Sequence, residues 1–174
     1  MSASADAPVE LVAYRAGWPA AFVAEATVLR NLLAPWLVGP VEHIGSTAVP
    51  CMTSKPVIDI MAPVASLDES RPAIDRVATA GYVHFPYRPD VMHWFCKPSP
   101  AHRTHHLHLV PFGSSLWTAR LAFRDALRRH PALAAEYAQL KMELARRHRT
   151  DREAYTDGKT EFVDTVLRRA ARPP

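Results

Sequence analysis

The run KPVIDIMAPV, residues 55–64, constrains this chain more than any other stretch. β-Branched and apolar residues at this density form a buried strand. One carboxylate, Asp59, interrupts it, thirteen residues after Ser46 of the small-residue turn HIGSTAVP. Strand side chains alternate, so Val57, Asp59 and Met61 share a face. A carboxylate there is costly to bury unless a cation, a lysine or a metal pairs with it. Capping a neighbouring loop, or pairing with an arginine, would satisfy it equally well.

The other elements follow from periodicity and punctuation. VELVAY (9–14) reads as a short strand or extended arm, and VEHIGS (41–46) as a strand entering the turn. Trp18-Pro19 opens a helix with Phe22, Ala26, Leu29 and Leu33 at helical spacing, stopped by Pro35. Ser70 is the expected N-cap of a helix closed by Gly81. VMHWFCK (91–97) and THHLHLV (104–110) read as strands joined by a turn-rich link. From Leu116 onward the pattern is helical, divided at Pro131 and Gly158. The expected class is α+β: a small mixed or antiparallel sheet, an N-terminal helix and a C-terminal helical layer. Residues 1–8 are expected to form a flexible tail, and 9–174 a single domain.

In HHLHLV, strand parity sets Leu107 and Leu109 toward the core and His106 and His108 on the opposite face. Two imidazoles at i and i+2 can grip one metal ion or serve as ordinary cleft histidines. An adjacent Asp59 on the same face would complete a two-histidine, one-carboxylate set for a divalent cation. His43, before the Gly-Ser turn, reads best as a buried strand histidine. In the turn, Gly45 would let backbone approach a ligand, and the N–H groups around Ser46 and Thr47 would hold phosphate oxygens. Lys55 would add positive charge beside it.

Charge is uneven. Residues 118–174 carry 13 basic and 8 acidic side chains, within a formal net charge of +4. Arg120, Arg124 and Arg128 form one helical stripe that faces phosphates or, more commonly, solvent. Lys141 and Lys159, near Tyr137 and Tyr155, are within reach of a cleft. No reading motif accompanies the arginines, so nucleic acid is not the expected partner. No apolar run approaches a membrane span. The two cysteines, Cys51 and Cys96, lie far apart with no CxxC, which fits a cytoplasmic protein.

Several of these pieces together resemble the GrpB family of the nucleotidyltransferase-like superfamily: YRAGWPAAFVAEA, EHIGSTAVP, KPVIDI, HHLHLV, FRDALRRHPALAAEYAQLK and YTDGKTEFV. The resemblance implies a nucleotidyltransferase-like fold. It also implies a Gly-Ser phosphate turn (Gly45, Ser46), with Asp59 as the catalytic, metal-holding aspartate. The superfamily pattern has a second carboxylate two residues on, where this chain has Met61; His106 and His108 are the candidate replacements. Cys51-Met52 stands where the family usually has Gly-Leu, which suggests a loop shaped for another ligand. The expected function is metal-dependent nucleotidyl transfer or nucleotide-dependent ligation to an unknown acceptor. It would use Mg²⁺, Mn²⁺ or Zn²⁺ and a nucleotide or other phosphate-bearing small molecule. The alternative is a non-catalytic module that binds a nucleotide or coenzyme A-like ligand and regulates a partner.

Overall fold

A computed structural model describes residues 8–171. Of the expected tail only Pro8 falls among them. A five-stranded sheet has the order β1-β2-β5-β4-β3. The strands are β1 (Glu42–Ile44), β2 (Ile58–Val64), β3 (Val83–Phe85), β4 (His93–Pro98) and β5 (Arg103–Pro111). β2 and β5 pair in parallel and the other neighbours antiparallel, so the sheet is mixed. With its helices the architecture is α+β, as the sequence pattern predicts.

The apolar members of β2, Ile58, Ile60, Ala62 and Val64, share one face with Leu107, Leu109 and Phe95. Two helices bury that face: α1 (Trp18–Leu33), through Trp18, Ala26, Leu29 and Leu33, and α2 (Ala73–Ala78), through Ala73 and Val77. α2 begins later than expected: Ser70 does not cap it, and its hydroxyl donates to Leu67 O. The other face carries Asp59, His106 and His108. One end of it is sealed by Trp117 of α3 (Ser115–Arg129), packed with Ile44, Met61, Trp94, Cys96 and Val110. Ser114 caps α3, its hydroxyl accepting from Trp117 N–H.

Beyond α3 lie α4 (Pro131–Arg147), α5 (Arg152–Asp157) and α6 (Thr160–Ala170). Pro131 and Gly158 divide them as expected, but the short α5 has no apolar periodicity to announce it. α3 and α4 pack Leu127, Tyr137 and Phe123 onto Val49 and Met52 of the loop before β2. VELVAY is an arm rather than a strand, held by a single bridge between Val12 and Ser54. β3 gives no alternation signal: its three residues are all exposed, and pairing with β4 alone makes it a strand. No helix among the described residues is long and apolar enough to cross a membrane.

Candidate metal and anion site

The antiparallel pairing of β1 with β2 sets Ile44 opposite Asp59, which brings the turn after β1 onto the aspartate. That return explains the thirteen-residue spacing. Gly45 has φ +71°, and a Cβ there would lie 2.5 Å from Asp59 Oδ2. Its missing side chain therefore makes room for the Asp59 carboxylate. Parallel pairing of β2 with β5 sets Asp59 beside His106, and Met61 beside His108.

The three side chains converge. His106 Nδ1 is hydrogen-bonded to Asp59 Oδ1 at 2.8 Å, and His108 Nε2 lies 3.8 Å from the same oxygen, too far for a hydrogen bond. One donor atom from each of Asp59, His106 and His108 lies within 4.8 Å of the others. The Nε2 atoms of both histidines are buried with no hydrogen-bond partner. A buried imidazole nitrogen lacking a partner is unfavourable, and a cation would satisfy it.

Burial would raise the Asp59 carboxyl, but the hydrogen bond from His106 and the nearness of His108 outweigh it and hold the group well below its usual range. Burial, only partly opposed by Asp59, lowers His108 to about 4. Near neutral pH the centre thus offers a carboxylate and, at His108, a neutral imidazole, which is the protonation state metal ligation requires.

Met61 is fully buried in the cluster under Trp117. Its position belongs to the apolar core, so a second strand carboxylate has no room there. Glu42 pairs with Met61 across β1, and Arg124 holds it at 2.6 Å. Arg124 also donates to His43 O and to Asp125, and Arg128 donates to Ala48 O. These two members of the arginine stripe brace β1 and the turn, contrary to the solvated face that spacing favoured.

The Thr47 side chain is buried. It is 2% exposed, and its hydroxyl donates to Val57 O while meeting His43 Nε2. His43 is a structural residue, stacked on Phe22, and burial lowers it to about 4. Ser46 lies beside the Tyr137 phenol. Cys51 has φ +61°, a left-handed backbone that glycine adopts without strain, and Met52 is buried against Leu127 and Tyr137. The loop at Cys51-Met52 is thus set by a left-handed residue and a buried one.

Lys55, from the loop before β2, gathers with Lys141 and Lys159 of the C-terminal helices, and Lys159 feels the charge of Asp59. Lys55 and Lys159 lie over the Tyr155 ring at 4.9 and 4.3 Å, and Lys141 lies over Tyr137 at 5.1 Å while donating to Thr53 O. Burial, then the charges of Lys159 and Lys55, lowers Lys141 to about 7. Burial and Lys55 lower Lys159 to about 7, with Asp59 opposing. Mutually repelling cations next to a carboxylate form a ready seat for an anion that bridges them.

Sequence reasoning did not single out Arg103 and Arg152. Both line a cavity of about 150 Å³ that also contains His106 and Lys55. Arg152 sits in a charged C-terminal stretch whose spacing carries no sign of the cavity. A larger cavity, about 340 Å³, lies between α4 and α6 and shares no residue with the triad.

A family model described as GrpB protein matches residues 8–169. A UPF0157 protein of Pseudomonas aeruginosa is 41% identical over 170 residues, covering 95% of this chain and 69% of that protein. The glutamate-rich protein GrpB of Alkalihalophilus pseudofirmus is 32% identical, with 91% of this chain and 94% of that protein covered. The UPF0157 protein YqkA of Bacillus subtilis is also 32% identical, and this chain spans 48% of its length. Among solved structures, the conserved protein GrpB from Enterococcus faecalis superimposes with a TM-score of 0.83 at 31% identity, over 92% of this chain and 96% of that one.

Proposed function

The chain belongs to the GrpB family, and from that premise we propose that it is a metal-dependent, nucleotidyltransferase-like enzyme that handles a nucleotide at the open face of the sheet. The observation that carries this reading is the convergence of Asp59, His106 and His108 within 4.8 Å, with both Nε2 atoms buried and unpartnered. One carboxylate and two imidazoles fit a divalent cation that accepts nitrogen, so Mn²⁺ or Zn²⁺ suits the set better than Mg²⁺. A bound ion would act as a Lewis acid and offset charge at the phosphorus.

The chain's own residues do the rest. Asp59, kept ionised by its histidines, supplies the negative charge of the centre. Lys55, Lys141 and Lys159 hold the oxygens of a phosphate chain, and Ser46 adds a hydroxyl at the turn. In transfer, the acceptor's nucleophilic atom bonds to the α-phosphorus as the bond to the bridging oxygen breaks. Pyrophosphate leaves into the lysine cluster, and the nucleophile's proton passes to water.

Calorimetric titration with Mn²⁺ and Zn²⁺, in wild type and Asp59→Asn, tests the centre. Saturable binding in wild type that is lost in the variant is expected. Equal binding in both would overturn the reading. Release of pyrophosphate from nucleoside triphosphates, with a panel of small acceptors, tests the reaction. One observation favours a second reading, a nucleotide-binding module without turnover: the second carboxylate position, Met61, is closed off in the core. Tight nucleotide binding with no pyrophosphate release under any metal would select it.

A further inference from the structure

The sheet face that carries the triad continues past it to the edge strand β3. In the sheet's register Phe85 of β3 lies opposite Trp94 of β4, Trp94 opposite His108 of β5, and His108 beside Met61 of β2. Residues directly opposite share a face, so Phe85 stands on the Asp59 side of the sheet. Tyr87 follows in the turn after β3. We propose that Phe85 and Tyr87 are the seat of a flat, uncharged ring, the nucleobase of a nucleotide whose phosphates lie at Asp59, His106 and His108. The identity of the ring as a nucleobase rests on the nucleotide-handling reading above, whereas the seat for a ring does not.

Three features carry the proposal. The first is open ring surface. Phe85 and Tyr87 are each 49% exposed, and adjacent aromatic rings left half open to water gain free energy when a ligand ring covers them. Trp94 is buried and lies under the Arg103 guanidinium at 5.3 Å, so the open surface belongs to Phe85 and Tyr87. The second is pre-organisation. Both rings meet Trp94 edge-on, with centroids 6.1 and 6.2 Å away and interplanar angles of 87° and 71°, an arrangement that aromatic pairs favour. Tyr87 N–H donates to Phe85 O at 2.7 Å across Pro86, a tight turn that keeps the second ring beside the first. Rings fixed in advance lose little freedom on binding.

The third is reach and direction. Two strand spacings, about 10 Å, separate Phe85 from His108, a gap that a ribose and its phosphate bridge. Trp94 fills it, its ring 5.1 Å from that of His106. On the other flank of the triad Lys141 donates to Thr53 O in the loop leading to β2, and Lys159 feels the charge of Asp59. A nucleotide laid across the sheet thus has its base at β3, its α-phosphate at the centre and its remaining phosphates toward these lysines. Stacking reads the face of a ring, which every base possesses, so the seat accepts several bases.

The test uses the full chain with Mn²⁺ and two probes, α,β-methylene-ATP and inorganic triphosphate, which lacks the ring. Binding is followed by calorimetry and by the aromatic NMR signals of Phe85 and Tyr87. The nucleotide is expected to bind more tightly than triphosphate and to shift both rings' signals through its ring current. Phe85→Ala and Tyr87→Ala each weaken the nucleotide by roughly tenfold and leave triphosphate unchanged, while Phe85→Tyr keeps the affinity. If an alanine variant does not fold, Phe85→Leu and Tyr87→Leu carry the same comparison. Nucleotide binding indifferent to both variants, or an equal loss for triphosphate, overturns the seat. Dimerisation through β3 that both variants abolish also overturns it, because the rings then belong to a second copy. Adenosine titrated without metal separates the seat from the reading it serves. Ring shifts with adenosine but no Mn²⁺ binding keep the seat and remove the metal centre. Mn²⁺ binding with no ring shift from either base-bearing probe overturns the seat alone.

Discussion

Replacing Gly45 with alanine tests the link between the turn and the aspartate. Gly45 has φ +71° and ψ −173°, a region that is essentially glycine's own, where another residue costs about 1–3 kcal/mol. The new Cβ would also stand 2.5 Å from Asp59 Oδ2 and 3.0 Å from its Cβ and Cγ. Asp59 cannot swing away cheaply, because Oδ1 is hydrogen-bonded to His106 and its backbone is in register with Ile44 and His106. Overpacking of this kind adds about 1–3 kcal/mol. Gly45→Ala should therefore cost about 4 kcal/mol, a fall in Tm of roughly 10 °C for a chain this long. Urea and thermal unfolding at neutral pH measure it. Asp59→Ala in the same background removes Oδ2 and Cγ but keeps Cβ, so part of the clash is relieved. The two substitutions should fall short of additivity by about 1–2 kcal/mol. A single-variant cost below about 1 kcal/mol, or strict additivity, would refute this account of Gly45.

Arg124→Ala should destabilise the fold by about 3 kcal/mol in urea, because it strands Glu42, which is paired at 2.6 Å and only 25% exposed on its side chain; Glu42→Gln added to it should recover part of the loss. Cys51→Gly should raise stability by about 1 kcal/mol through relief of the left-handed backbone at φ +61°, read as a higher urea midpoint. Lys141 titrates near 7 in the fold and at 10.5 unfolded, so the unfolded chain holds the extra proton between those values. Stability should therefore rise with pH across that window, by up to about 5 kcal/mol, and Lys141→Met should flatten the rise. His43 is lowered from 6.5 to about 4, so stability should fall as pH drops through that interval, by up to about 3 kcal/mol. His43→Leu should remove that part of the acid limb in denaturation curves recorded across pH.

Features that depend on short-range geometry were legible in the chain alone. The two-residue period of strands set Asp59 on the face opposite Ile58 and Ile60, and His106 and His108 opposite Leu107 and Leu109, because successive side chains must alternate. Helical spacing likewise picked out Ala26, Leu29 and Leu33 as the buried stripe of α1. Features that depend on which element meets which came from long-range packing. Asp59 and His106 are 47 residues apart, and only the parallel pairing of β2 with β5 makes them neighbours. β3 exists because β4 offers its hydrogen bonds, since three exposed residues carry no pattern of their own. Arg120, Arg124 and Arg128 share a stripe in sequence, yet the docking of α3 onto β1 turned Arg124 and Arg128 into braces. Lys55, Lys141 and Lys159 come from a loop, α4 and the α5–α6 junction. Periodicity can place a side chain on a face, but long-range packing alone determines what that face is pressed against, and so where these charges gather.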